Sequence, residues 1–495
     1  MEQKKQETYK SMIEVLMDYS EKKKDKLFVA DKEKSYTYGQ ALVEVKSYVY
    51  KLEELGLKAK DKLVVECSQD AKFVLVNLAC EYMGVVFVPV EQKAKKERVE
   101  EICKETQALY CILSEKMELD ATTVQITFGE FYDSARKPTD LEFKTPKAKE
   151  VAEILYSTGT TGKAKGIVIT HGNNVAVAEN IKYGTQMKED NVELVPMPLS
   201  HSHAIRTCYA NLLNGSSVVI VDGVMKVKLV FELMEKYQVT SMDLSPSAGN
   251  VLVKLAKKKL SAYAEKIDFI EIGSAVLEED LKEALCSIFQ NSRLYNFYGS
   301  TEAGRSCILD FNKVRGKKGC IGKPTKNARF IITDQDRNEI SSSKENTGLL
   351  AIAGSMNMKE YLNAEKLTKA TMVNGYIYTT DIAYIDEEGY VYVLGRADDV
   401  INYNGIKIAP DDIESQVIKF PGIKDCACVP VNDSVSGQVP KVYYSAQTSI
   451  DETKLLSFLS TVLEANKMPK LLEKIDEIPR SDNGKLLRRK LRDRV

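Results

Sequence analysis

Across residues 1–90 the apolar positions switch repeatedly between helical and extended spacing. Tyr9, Met12, Ile13 and Leu16 mark one face of an amphipathic helix, with Val15 off that face. Residues 27–30 and 35–38 read as a pair of short strands. Leu42, Val43, Val45, Val49, Leu52 and Leu55 predict a helix over 39–55 that stops at Gly56. A buried-type strand at 63–67, a helix at 73–82 ended by Gly84, and a strand at 85–90 follow. Strand and helix in alternation predict a parallel sheet with helices on both faces.

Further strands are predicted at 151–155, 167–170, 192–199, 217–221, 241–244, 269–273 and 294–297, with an amphipathic helix around 229–237. Residues 375–381 and 390–394 read as strands on either side of a turn at 386–389. From Asp398 the pattern becomes that of a second, small domain. Apolar pairs at 400–401 and 406–408 flank Asn404-Gly405, a two-residue hairpin signal. Pro410, with Asp411, Asp412 and Glu414 behind it, opens a helix. Strands at 426–431 and 442–446 and a helix at 453–463 complete it. The fold expected is α/β: a large N-terminal domain of several subdomains with mostly parallel sheets, residues 1–396, and a small C-terminal α+β domain, residues 397–495.

Composition narrows this picture. At 495 residues the chain is too long for one ordinary core, and 44% hydrophobic with 28% charged residues is a globular profile. A net charge of −1 gives no reason to expect nucleic acid or an anionic membrane as partner. Ten cysteines are scattered without a CxxC, and Cys426 and Cys428 suit one face of a strand, so buried reduced thiols are expected. Residues 1–26 are charge-rich without an apolar leader core, and no apolar run approaches the roughly 18 residues of a membrane span. A cytoplasmic protein with no transmembrane segment is expected.

The chemistry starts at Tyr156-Ser157-Thr158-Gly159-Thr160-Thr161-Gly162-Lys163-Ala164-Lys165-Gly166, a donor-rich, cationic stretch between two strands. Glycines let backbone N–H groups curl around an anion, while hydroxyls and lysines add donors and charge. A phosphate-cradling loop is the natural reading, and a Gly/Thr-rich hairpin turn the bland one. It is not a Walker loop: Ala164 stands where the Mg²⁺-binding hydroxyl would be, and Ser157 replaces the first glycine.

Four more strings carry chemistry. His201 and His203, on an extended segment, would point the same way, which suits a metal, but no third ligand accompanies them. Tyr298-Gly299-Ser300-Thr301-Glu302 offers a ring for stacking, a close-approach glycine, hydroxyls for phosphate and a carboxylate for Mg²⁺. It equally reads as a glycine turn with Ser300 or Thr301 capping a helix and Glu302 in the first turn. Asp381 closes a strand and could accept from two vicinal hydroxyls, or be a routine turn residue. Near the end, Pro479-Arg480 leads to Gly484-Lys485 and a basic run.

Taken in order, these strings resemble the signatures of the adenylate-forming enzymes: acyl-CoA synthetases, luciferases and nonribosomal peptide adenylation domains. The likeness spans nearly the whole chain. It departs at Ala164, where many members have proline, and at Val276, which replaces the proline of a Gly-x-Ala-Pro-Leu turn and makes that turn less rigid.

The resemblance implies that a carboxylic acid is activated with ATP and Mg²⁺ to an acyl-adenylate and passed to the thiol of CoA. The alternative acceptor is the phosphopantetheine of an acyl carrier protein. It implies that Thr158, Gly159, Thr160, Thr161, Gly162 and Lys163 cradle phosphate, and that Tyr298, Asp381 and Arg396 hold the nucleoside. Ser274 and Ala275 would pack against adenine and acyl group, with Asn296 and Gly299 in the same nucleotide site. Thr301 and Glu302 would serve catalysis, Glu302 as the Mg²⁺ ligand, and His201 would border the acyl pocket. Lys485 would neutralise the reacting carboxylate and α-phosphate. The small domain would be mobile, turning about Asp398 to exchange Lys485 for the Asn404-Gly405 hairpin beside a pantetheine channel. Activation of an α-amino acid is not expected, since the segment 200–203 lacks the aspartate that binds the amine. A decayed, non-catalytic scaffold is not expected, since Lys485 and Glu302 are present. Arg206, five residues after His201, could pair with a second acid on the substrate, or face solvent or a structural partner.

Overall fold

Two sheets with parallel centres build the larger of two compact units in the computed structural model, which describes residues 9–120, 122–132, 142–157, 164–480 and 486–494. That unit comprises Met1–Gly316, Gly322–Arg329 and Ile352–Ile377. Its first sheet runs, neighbour by neighbour, Gly304–Asp310, Arg293–Ser300, Phe269–Ile272, Ser241–Leu244, Val192–Val195, Ser217–Ile220, Leu27–Ala30 and Ser35–Thr37. The pairings from 293–300 to 27–30 are parallel. Those of 293–300 with 304–310 and of 27–30 with 35–37 are antiparallel. The second sheet runs Glu360–Tyr361, Lys165–Thr170, Val151–Ser157, Val86–Val90, Lys62–Glu66, Tyr110–Leu113 and Val124–Thr127. It is parallel except where 165–170 pairs with 151–157 and 360–361.

One apolar cluster draws on both sheets and on helices Met12–Lys22, Tyr38–Glu54, Ala71–Met83 and Ser202–Asn214. Helix 71–83 is buried at nearly every position, so it is apolar almost all round instead of striped. Caps fix where the helices begin. Thr37 and Gln40 form a capping box, so Tyr38 starts a helix and does not end the preceding strand. Ser11 caps the first helix, which therefore begins at Met12 and leaves Tyr9 outside. The strand expected over 192–199 stops at Val195, because Pro196 and Pro198 have no N–H to donate to a neighbour.

The smaller unit comprises Lys317–Ile321, Phe330–Ala351 and Tyr378–Val495. The contacts thus divide the chain elsewhere than at the expected 396/397, and residues 378–396 pack with the C-terminal part. Strand order explains it: Tyr376–Ile385 lies between Gly348–Gly354 and Val391–Arg396, so these pieces stay together. Beyond Asp398, Ile401–Tyr403 and Ile406–Ile408 form the expected hairpin, with Asn404 and Gly405 at φ 49° and 85°. Both central residues of a type I′ turn need positive φ. Gly437–Ala446 pairs antiparallel with Ile423–Asp433 and parallel with Leu471–Lys474. Helices Pro410–Val417 and Glu452–Val462 share a core with that sheet, Cys426 and Cys428 included. All ten cysteines are buried, as expected, and none of them is in a disulfide. Among the described residues no helix is long and apolar enough to cross a membrane.

Candidate active site

Parallel strands deliver the residues after their carboxyl ends to one rim, the usual ligand side of an open α/β sheet. Among the described residues, that rim of the larger unit collects most of those expected. Strand 192–195 leads through the proline segment to His201, which is partly exposed and stands at the N-cap of helix 202–214. His203 is already in the first helical turn, so the two histidines do not share one face of an extended segment. Strand 269–272 ends in Gly273, and Ser274 and Ala275 follow, both exposed. A Cβ on Gly273 would lie 2.3 Å from the Phe297 ring, so only glycine fits there.

Strand 293–300 carries Asn296, Tyr298 and Gly299. Residues 298–302 open no helix. The chain makes a tight turn and returns antiparallel as 304–310, with Ser300 Oγ accepting from Ala303 N–H at 3.1 Å inside the turn. The helix-cap alternative for this string is therefore overturned. Gly299 is required by the turn, since a Cβ there would lie 2.0 Å from the Gly304 carbonyl. Tyr361 donates to Glu302 Oε1 at 2.9 Å, and Met358 N–H donates to the Glu302 carbonyl at 2.7 Å. Burial and the Glu302 charge push the Tyr361 phenol up. Ser202 Oγ lies 3.3 Å from Thr301 Oγ1, so the turn is tied to the helix that His201 caps. Arg206 is buried and donates to the Thr301 carbonyl at 3.4 Å. Burial lowers its basicity and the Glu153 carboxylate opposes that, which makes Arg206 an internal partner and not a solvent-facing residue.

Below the rim is a polar network that the sequence strings do not mark. His203 Nε2 meets Asp243 Oδ1 at 2.5 Å and Nδ1 meets Ser274 Oγ at 2.5 Å. Asp243 also accepts from Thr207 Oγ1 at 2.7 Å and pairs with Arg305 at 3.3 Å. Arg305 pairs with Glu271 at 2.6 Å and lies over the Phe297 ring at 3.9 Å. Burial alone would lower Arg305, but Glu271 and Asp243 hold it up. Burial and the Asp243 charge push Glu271 up to about 7 against the pull of Arg305. Asp243, Glu271 and Arg305 are charged residues inside apolar strand runs, and that was the available signal.

Strands 151–157 and 165–170 bracket the hydroxyl-rich stretch, with Ser157 opposite Lys165. Thr158, Gly159, Thr160, Thr161, Gly162 and Lys163 themselves lie outside the described residues, as does Lys485. In the smaller unit Asp381 is opposite Arg396 across two antiparallel strands. Arg396 donates to Thr380 Oγ1, and Thr379 Oγ1 accepts from Asp381 N–H at 3.1 Å. Asp398 is exposed, and its carbonyl accepts from Arg492. Gly405 is exposed at the hairpin tip.

An aromatic ring, a close-approach glycine, hydroxyls and one carboxylate at the rim of a parallel sheet are groups that suit a nucleotide. The chain belongs to the AMP-binding enzyme family, which it matches over residues 17–362, and it matches the AMP-binding enzyme C-terminal domain over 412–485. It is 26% identical over 474 residues to the 2-succinylbenzoate–CoA ligase of Bacillus cereus (strain ZK / E33L), covering 95% of this chain and 96% of that one. It is 27% identical over 491 residues to 4-coumarate–CoA ligase 1 of Solanum tuberosum, covering 93% and 89%. Among solved structures, it superposes on o-succinylbenzoate CoA synthetase (MenE) from Bacillus subtilis, in complex with the acyl-adenylate OSB-AMP, with a TM-score of 0.87 at 23% identity, covering 97% and 98%. ATP-bound MatB from Rhodopseudomonas palustris gives 0.87 at 20% identity, covering 98% and 99%. These structures share its fold.

Proposed function

We infer that the chain is an AMP-forming carboxylic acid–CoA ligase. The observation that carries this reading is the near end-to-end likeness to CoA ligases, beside this chain's match to both the large and the C-terminal family regions. A carboxylate is a poor electrophile, because oxide would have to leave. Its attack on the α-phosphate of ATP releases pyrophosphate and leaves an acyl-adenylate, from which AMP is a good leaving group for a thiol. Charge collects on phosphate oxygens throughout, so electrostatic stabilisation is the main catalytic term.

The site residues enter as proposals. Thr158, Gly159, Thr160, Thr161, Gly162 and Lys163 cradle phosphate. Tyr298 stacks on the base beside Asn296, Gly299, Ser274 and Ala275, and Asp381 with Arg396 holds the ribose. Thr301 and His201 border the reacting groups. Glu302 fits Mg²⁺, since the turn offers one partly exposed carboxylate with one oxygen held by Tyr361, and this ion takes few protein ligands. The ion, when bound, neutralises charge on the phosphates. The reading takes the protein to be cytoplasmic, in keeping with ten buried cysteines outside any disulfide.

The test is acid-dependent ATP–pyrophosphate exchange across aryl, fatty and dicarboxylic acids, followed by thioester formation with CoA. One acid class should support exchange and yield AMP, pyrophosphate and acyl-CoA in equal amounts. ADP as product would end the reading, and discharge only onto a phosphopantetheinylated carrier protein would end its CoA part. The balance of Arg206 by Glu153 argues against Arg206 as a counter-ion for a second substrate carboxylate.

Asp398 is the proposed hinge. Asp398→Pro fixes φ at that position and should leave exchange in place while thioester formation is largely lost. Undiminished thioester turnover would put the hinge at another residue.

A further inference from the structure

The geometry points to a second chemistry at the rim: Ser274 is a nucleophile activated by His203, with Asp243 orienting the imidazole, and it hydrolyses activated acyl groups. Three neighbouring strands of one parallel sheet and the connections after two of them supply the three residues. His203 follows strand 192–195, Asp243 lies in 241–244, and Ser274 follows 269–272. Asp243 Oδ1 is 2.5 Å from His203 Nε2, which fixes the proton on Nε2 and leaves Nδ1 as an acceptor. Nδ1 is 2.5 Å from Ser274 Oγ, so the serine hydroxyl donates to it and turns its lone pairs outward. This is the nucleophile–base–orienting-carboxylate relation of a serine hydrolase, with the two ring nitrogens exchanged.

Two further observations separate it from a chance contact. Ser274 is the exposed member of the set, while His203 is only 8% exposed and Asp243 fully buried, so packing does not demand a serine there. Ser274 also holds φ at 74°, a region that non-glycine residues avoid and that recurs at functional sites. The ring itself is held from a third side by the edge of Phe297, at 4.9 Å between centroids. Burial lowers the His203 pKa despite Asp243, so the imidazole is neutral and able to take a proton near pH 7.

The substrate class is a carboxylic acid already joined to a good leaving group, as a thioester, aryl ester or acyl-phosphate anhydride. Ser274 Oγ attacks the carbonyl carbon and its proton passes to His203 Nδ1. The bond to the leaving group breaks with its electron pair, and the proton goes to that group or to solvent. Water then attacks the acyl-serine, His203 takes a proton from it and returns it to Ser274 Oγ, and the free acid leaves. The sum is hydrolysis.

The test uses the full chain with a fluorophosphonate probe and p-nitrophenyl acetate, neither of which needs ATP or CoA, so its outcome is independent of the ligase reading. Mass spectrometry should find the phosphonyl group on Ser274, and p-nitrophenol release should be lost in Ser274→Ala. His203→Gln should slow both by roughly a hundredfold or more. Asp243→Asn should move the acid limb of the labelling profile to lower pH, because Asp243 and Arg305 are the charged groups facing the ring and only Arg305 would remain. Circular dichroism checks that each variant is folded. Ser274 is exposed, so its alanine variant puts no core contact at risk. A folded wild type that takes no label on Ser274, or labelling that His203→Gln leaves at the same rate, overturns the assignment.

Discussion

Lys485→Ala removes most adenylate formation, by roughly 10²–10³-fold, the scale of losing one preorganised electrostatic group. Transfer from a supplied acyl-adenylate to CoA stays largely intact. The asymmetry follows from the charges. In the first step an anionic carboxylate must approach an anionic phosphate, and a proposed lysine between them offsets the repulsion. In the second step a neutral acyl carbon meets a thiol, and that repulsion is gone. The ends of the segment carrying Lys485 are anchored: Arg480 binds Asp425 through two bonds of 2.9 and 2.8 Å and bridges to Leu486. Pyrophosphate exchange measures the first step and thioester formation from synthetic acyl-adenylate the second. Equal losses in both, in a folded variant, would assign the lysine to both steps.

Arg305→Met should destabilise the larger unit by about 3–5 kcal/mol, the cost of leaving buried charge without its partner. Asp243 and Glu271 are both fully buried or nearly so, and Arg305 is the cation paired with each. Its guanidinium also donates to Thr207 Oγ1 at 2.6 Å, a group that methionine cannot replace. The loss should be smaller at pH 5 than at pH 8. Glu271 is raised to about 7 against an ordinary 4.5, so between those values the folded state holds a proton that the unfolded state has lost. Stability from this group therefore falls as pH rises, and acid lets the orphaned carboxyl neutralise itself. Thermal scans at the two pH values measure this, and an unchanged midpoint in Arg305→Met would show that the network contributes nothing net.

The parts of this molecule legible in sequence are those whose chemistry is local. Gly299 and the turn after it are marked by a contiguous string, and the Asn404-Gly405 hairpin by two residues. The network below the rim is spread over positions 203, 243, 271 and 305, and only the fold joins them: Asp243 stands opposite Glu271, and His203 and Arg305 reach them from helix 202–214 and strand 304–310. Helix His171–Gly184 is not legible for a different reason. Its buried side includes His171, Asn174 and Asn180, so the apolar stripe that reveals a helix is interrupted by polar residues. Val124–Thr127, the last strand of the second sheet, begins with an exposed valine and lacks the buried run of its neighbours. Local strings leave open what the backbone decides, as at Ser300, whose hydroxyl could cap a helix and instead closes a hairpin.

The chain passes between its two compact units at 316/317, 321/322, 329/330, 351/352 and 377/378. Neither unit can therefore be finished from one uninterrupted length as it leaves the ribosome. The strand at 360–361 covers the edge at 165–170, and Tyr361 on that strand holds Glu302, so the cover and the tether arrive only after residues 1–316 and 322–329 of the larger unit. Until then the nascent protein displays an unpaired row of backbone groups on 165–170, a surface prone to pairing with another chain. Residues 330–351 likewise wait for the strand at 376–385 that neighbours them. Ribosome pausing before residue 361 has emerged would thus hold the protein with this edge uncovered.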